Sequence, residues 1–104
     1  MLGQHHQFHH YNPGKSKFGE DRYFKISERI YRELDERLSK SKYLAGENYT
    51  IADIATFPWI ARHEWHDIGL KQYKSLSRWY NTISERAAVI KGYNFMGAGK
   101  VPKP

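Results

Sequence analysis

Tyr49-Thr50-Ile51-Ala52-Asp53-Ile54 is the stretch on which the reading of this chain turns, because it holds every part of a reinforced helix start. The Thr50 hydroxyl can accept from the backbone N–H of Asp53, the Asp53 carboxylate can reach back to the N–H of Thr50, and Tyr49 can pack on Ile54. Together these make a capping box with a hydrophobic staple. The carboxylate also lies in the first turn, where the helix dipole favours negative charge, and losing such a cap costs about 0.5–2 kcal/mol. An Asp held in this way is a poor acid or base, so on chemistry alone Tyr49, Thr50, Asp53 and Ile54 are structural. Behind the cap, from Thr50 to His63, stand Ile51, Ile54, Ala55, Phe57, Trp59, Ile60 and Ala61. Apolar on most sides, this pattern predicts a nearly encircled core helix. Pro58 lies inside it, removes one backbone hydrogen bond and predicts a kink.

Outward from that helix the chain keeps a helical period. Between about Phe18 and Ser39, Tyr23, Ile26, Ile30, Tyr31, Leu34 and Leu38 recur at threes and fours among charged residues, an amphipathic helix with one buried stripe. Lys40 and Lys42 put positive charge near its C-terminal end. From about Ser75 to Arg86, Leu76, Trp79, Tyr80 and Ile83 form a second stripe, predicted to pack across the capped helix. Asp67-Ile68-Gly69-Leu70 reads as a turn, with Tyr73 anchoring the connection. Gly92, Gly97, Gly99, Pro102 and Pro104 break any period, so residues 92–104 are expected to form an irregular, extended or mobile tail behind a helical domain of residues 1–91. With no repeat and no strand alternation, the fold class is all-α: a bundle of four to five helices around a capped, buried central helix.

Composition narrows the function. At 104 residues the chain suits one modest core. It has no apolar run long enough for a membrane span, and its polar, histidine-rich start lacks a signal-peptide pattern. Absence of cysteine excludes disulfides, thiolate metal sites and a protein thiol nucleophile, and a cytoplasmic location is the expectation. Seventeen basic against eleven acidic residues give a formal charge of +6, which raises nucleic-acid binding. Phosphate neutralisation needs those charges gathered on one face, yet Arg29, Arg32 and Arg37 are interleaved with Glu28, Glu33, Asp35 and Glu36. No nucleic-acid or membrane partner is expected.

The run from Tyr43 to Ala55, followed by Pro58-Trp59, resembles the segment entering the buried central helix of the glutathione transferase C-terminal domain. Met1-Leu2-Gly3-Gln4, with His6 and Phe8 behind it, is similar to the bacterial nu-class enzymes, also described as disulfide-bond oxidoreductases. Leu76-Ser77-Arg78-Trp79-Tyr80 and Arg86-Ala87-Ala88-Val89 resemble the penultimate helix and the short turn after it. Ala87 stands where the family usually has proline, so a less sharply defined boundary is expected there. The resemblance implies that this domain supplies the substrate wall and dimer surface of a glutathione transferase or glutathione-dependent disulfide reductase. A thioredoxin-like domain would hold and activate glutathione, the cosubstrate, for thiolate attack. Nothing among these residues supplies that domain, and the chain is expected to start inside the first helix of the helical one. By itself it is expected to be inactive and to bind no glutathione.

Three groups of residues remain. On a helix, His5 would share a face with His9, and His6 with His10, and such pairs can chelate a cation. A zinc site wants four ligands and no cysteine exists, so no metal is expected. The resemblance instead implies that Gln4, His6 and Phe8 line the substrate wall. It also implies that Arg22, in a Glu-Asp-Arg-Tyr run, contacts glutathione, a role suited to a guanidinium facing a carboxylate. The competing reading of Arg22 is a solvated charge paired by Glu20 or Asp21. No catalytic residue is assigned, since there is no Ser-His-Asp set, no phosphate loop and no paired carboxylate. A second function stays open, a stand-alone interaction or scaffold module. Without a partner domain the first and the capped helices would expose apolar surface, and self-association would cover it.

Overall fold

Ser16, in extended backbone, ends a loop and starts the longest helix by accepting from the Gly19 N–H at 3.1 Å. In the computed structural model, which describes residues 1–97 and 99–104 and leaves out the side chain of Met96, six helices follow one another. They are α1 (Leu2–His5), which widens into a π-helical stretch (His6–Tyr11), then α2 (Lys17–Lys40), α3 (Ile51–Ile60), α4 (His63–His66), α5 (Lys74–Ser84) and α6 (Ala87–Tyr93). A 3-10 turn spans Phe95–Gly97. Among the described residues there is no strand, only an isolated bridge between Tyr43 and Gly46, and no helix long and apolar enough to cross a membrane.

The spine of the core is α5 against α2. Leu76, Trp79, Tyr80 and Ile83 are buried, and Tyr31 and Leu38 of α2 join them with Phe57, Ile60 and Leu70. Two side chains pin the pair in opposite senses. Asp35 of α2 accepts from the Leu76 N–H at 2.9 Å, supplying the start of α5 with the side-chain acceptor that its own N-cap, Tyr73, lacks. Arg78 of α5 donates to the Leu38 carbonyl at 2.8 Å and the Ser41 carbonyl at 3.2 Å, covering orphan acceptors at the end of α2.

The entrance of α3 is held by the two residues singled out in the sequence, with Ala52 donating to the Thr50 hydroxyl where the sequence pointed to Asp53. Thr50 Oγ1 accepts from the Ala52 N–H at 3.2 Å, and Asp53 Oδ2 accepts from the Thr50 N–H at 3.0 Å, which completes a capping box. Its surroundings correct the expectation of encirclement. Asp53, Phe57 and Ile60 are buried, but Ile51 is 81 % exposed, Ile54 53 % and Trp59 47 %. The described residues bury one side of this helix and leave the other to solvent. Tyr49 meets Tyr43 edge-on and carries the Arg86 guanidinium 4.1 Å above its ring. With Ile54 half open, the staple adds little burial.

Further differences concern boundaries. The helix expected to run to His63 stops at Ile60 and restarts at His63, so the break lies beyond Pro58. There the Arg62 N–H turns to the Trp59 carbonyl three residues back, at 3.2 Å, tightening the last turn. After α5, Arg86 adopts extended backbone, and a sharp boundary forms without the proline. The tail expectation is corrected twice. Helix α6 runs to Tyr93, and Val101 returns to the core while the Tyr80 hydroxyl donates to the Pro102 carbonyl at 2.5 Å.

Candidate functional site

Four histidines converge where α1 and its π-helical extension meet α4 over α2. The i→i+5 winding turns His5 and His6, neighbours in sequence, both into the interior. Gly19 of α2 makes room for this segment: a Cβ there would lie 2.9 Å from the Phe8 ring, so only glycine fits against it without a shift. Asp67, in the left-handed conformation at φ 58°, ends α4 and lets the chain turn away directly after His66.

His66, inaccessible to solvent, is the centre. Its Nδ1 lies 2.5 Å from the Tyr31 hydroxyl, its Nε2 lies 2.6 Å from Nε2 of His6, and its carbonyl lies 2.7 Å from Nε2 of His5. The His6 and His66 rings are nearly parallel, 20° apart with centroids separated by 4.6 Å, and their Nε2 atoms lie within hydrogen-bond distance. Burial, then the neighbouring imidazoles of His6 and His5, push His66 down to about 3, and burial lowers His5, His6 and His63 as well. Burial pushes the Tyr31 phenol up. At neutral pH the centre is thus an uncharged network. His5 Nε2 must donate to the carbonyl, which leaves its buried Nδ1 without a partner. Beside the centre, His9 lies between Glu20, at 3.2 Å, and Asp67, at 3.5 Å.

Toward the surface His6 adjoins two indoles, Trp59 at 5.9 Å and Trp65 at 5.4 Å between centroids. Trp65 is stacked by His10 at 4.0 Å and approached by the Arg62 guanidinium at 4.4 Å. The other expected wall residues go elsewhere. Phe8 stacks on Tyr23 of α2 at 5.6 Å, and Gln4 is exposed, so Gln4, His6 and Phe8 do not converge on one point. Arg22 is exposed beside Phe18, Asp21, Lys25 and Ile26, where a shallow cavity of about 390 Å³ opens. Neither Glu20 nor Asp21 forms an ion pair with it among the described residues.

Among the described residues no three His, Asp or Glu side chains are placed to hold a metal ion. Both nitrogens of His66 and of His9, and Nε2 of His5 and His6, are engaged with one another, a phenol, a backbone carbonyl and carboxylates. Nor, among the described residues, is an exposed nucleophile set beside a base. What the arrangement can do is hold protons in a fixed order and present an imidazole edge between aromatic rings. Sequence reasoning missed His66 and the partnership of Tyr31. Tyr31 looked like one more residue of an apolar stripe, and His66 falls in a four-residue helix too short to show a period.

Comparison with known proteins follows the same lines. Residues 9–87 match the family model described as glutathione S-transferase, C-terminal domain. Disulfide-bond oxidoreductase YfcG of Escherichia coli (strain K12) is 40 % identical over 88 residues, covering 85 % of this chain and 41 % of that protein. Disulfide-bond oxidoreductase YghU of the same organism is 35 % identical over 94 residues, 82 % of this chain and 32 % of that one. A glutathione S-transferase domain-containing protein of Dictyostelium discoideum is 30 % identical over 91 residues, 85 % and 35 % respectively. This chain spans less than half the length of each of these relatives. With the matched region running from the π-helical segment to the start of α6, the chain belongs to the glutathione S-transferase C-terminal domain family.

Proposed function

We propose that this chain works as the helical domain of a nu-class-like, glutathione-dependent disulfide reductase or transferase, cytoplasmic and homodimeric, with glutathione held chiefly by a thioredoxin-like domain. The observation that carries the reading is an apolar surface that nothing in these residues covers. Trp59 lies 3.7 Å from the position a Cβ on Gly3 would take, and with Met1, Leu2 and Ile30 it borders a cavity of about 360 Å³, so the start of α1 and the end of α3 share one face. Ile51 and Ile54 prolong the exposed side of α3. A surface of this kind is an association surface, suited to another part of a longer chain or to a second copy. The names of two relatives, disulfide-bond oxidoreductases of which this chain matches less than half, support the choice of reaction class.

In that reaction the glutathione thiolate attacks one sulfur of a disulfide, forming a mixed disulfide while the other sulfur leaves as a thiolate. This chain contributes contacts. His6, between Trp59 and Trp65, forms a wall for the substrate and is flanked on the same segment by Gln4 and Phe8. Arg22, in no ion pair among the described residues, is left to grip glutathione.

The test is to assay the chain with glutathione and 2-hydroxyethyl disulfide, alone and joined behind the thioredoxin-like part of a relative. No turnover above buffer alone, and turnover in the fusion that falls when Arg22 becomes alanine, is the expected result. Turnover by the chain alone, or an inert but folded fusion, overturns the reading. Scattering-detected dimers that remain inert in every fusion would favour the scaffold module.

A further inference from the structure

We propose that Tyr31 and His66 are positioning residues that lock His6 in the tautomer carrying its proton on Nδ1, so that the wall offers an N–H donor to an oxygen atom of the substrate. The donor role rests on the reading of His6 as part of that wall; the lock does not.

The protons along this line of groups can be counted one by one. The Tyr31 hydroxyl is buried, and a buried O–H needs an acceptor. Nδ1 of His66 is its hydrogen-bond partner among the described residues. If Nδ1 carried the proton, the phenol would accept and its own proton would have nowhere to go. Tyr31 therefore donates and Nδ1 of His66 is bare. A neutral imidazole holds one proton, so that of His66 sits on Nε2 and points at Nε2 of His6, 2.6 Å away. Nε2 of His6 is then the acceptor, and the remaining proton of His6 can only be on Nδ1. Which nitrogen of a histidine is protonated follows from the bond made by the other, and here the choice is passed through two rings from a phenol.

One further contact holds the line in place: Nε2 of His5 donates to the His66 carbonyl and fastens the backbone of α4. Nδ1 of His6 has no partner among the described residues and is not one of the buried orphan atoms. His6 as a residue keeps 8 % exposure, and its ring lies between Trp59 and Trp65, close enough to Arg62 for that charge to bear on it. A flat substrate bearing a carboxylate or carbonyl oxygen fits these groups: indole surface for its body, an N–H and a guanidinium for its oxygen.

The decisive measurement is a long-range proton–nitrogen correlation spectrum of the 15N-labelled chain at pH 7.5, which reads each imidazole nitrogen as bare or protonated. The expected result is a bare Nε2 on His6 and a bare Nδ1 on His66. A protonated Nε2 on His6 overturns the lock from the native protein alone, whatever the variants do. In Tyr31→Phe, which keeps the ring but removes the O–H, both rings should shift to averaged nitrogen signals. A folded Tyr31→Phe protein with the native His6 pattern also overturns it. Benzoate then probes the donor: it should displace the His6 ring resonances, with at least threefold weaker affinity in Tyr31→Phe. If the tautomers are as expected and benzoate leaves His6 unmoved, the donor role and the wall reading fall while the lock stands.

Discussion

The indole Nε1 of Trp79 donates to Oδ1 of Asp53 at 2.7 Å, and that same oxygen accepts from the Leu44 N–H at 3.1 Å. Asp53 thus joins α3, the loop before it and α5, with its second oxygen on Thr50. Replacing it with alanine strands three N–H donors, of which the indole is buried. A buried donor left unpaired costs about 1–3 kcal/mol, so Asp53→Ala is expected to lose about 3–5 kcal/mol in urea unfolding. Trp79→Phe, which removes one donor from a carboxylate keeping two others, should lose less. Equal losses would show that packing, not this shared carboxylate, holds the junction.

Stability should fall on acidification through the histidine centre. His66 has a folded value of about 3 against 6.5 for the free side chain, and His5, His6 and His63 are lowered too. The unfolded chain therefore binds more protons than the folded one between roughly pH 6.5 and pH 3, and stability drops as pH falls through that window. The groups around the centre are Tyr31 from α2, His9 with Glu20 and Asp67, and His10 with Arg62. Each excess proton contributes about 1.4 kcal/mol per pH unit, so His66 alone removes about 2 kcal/mol by pH 5. Urea unfolding at pH 7.5, 6 and 5 measures this, and His66→Gln should flatten the slope. A native slope of zero over that range would mean these rings are not buried neutral.

Arg78 makes a prediction specific to its shape. Its guanidinium spans the Leu38 and Ser41 carbonyls, which a single ammonium cannot reproduce. Arg78→Lys should cost about 1 kcal/mol and Arg78→Ala about 1–2 kcal/mol, measured by thermal unfolding. If lysine matched arginine, simple attraction to the helix dipole would account for the contact.

Local pattern carried the elements, and distance hid the site. Thr50 and Asp53 were legible because a cap is written within four residues, and the α5 stripe because Leu76, Trp79, Tyr80 and Ile83 keep the period of a helix. The bond from His66 to His6 crosses 60 positions, and Asp35 to Leu76 crosses 41, with no local signal for either. Apolar residues all round α3 revealed that the helix wants cover. They could not say that the described residues leave Ile51, Ile54 and Trp59 open.

Gly19 tests how firmly the π-helical segment is seated. A methyl group there would press on the Phe8 ring at 2.9 Å, and Phe8 is already stacked on Tyr23. Gly19→Ala should cost about 1–3 kcal/mol, as overpacking does, despite the better helix propensity of alanine. Hydrogen exchange should show lost protection over residues 2–11 before any loss in α5. A uniform loss, or a gain in stability, would show that Phe8 moves aside freely.

The open side of α3 yields the last prediction, because its outcome separates a need for cover from a need for fold. Ile51 and Ile54 point away from the core that Phe57 and Ile60 enter, so charging them should leave the fold intact. Surface changes of this kind stay within about 0.5 kcal/mol. The doubly substituted Ile51→Glu, Ile54→Lys chain should therefore unfold at nearly the native urea concentration, while light scattering shows the native chain associating and the variant monomeric. An associating variant would put the interface on another face. A variant that unfolds would mean that α3 is more deeply enclosed than its exposed isoleucines indicate.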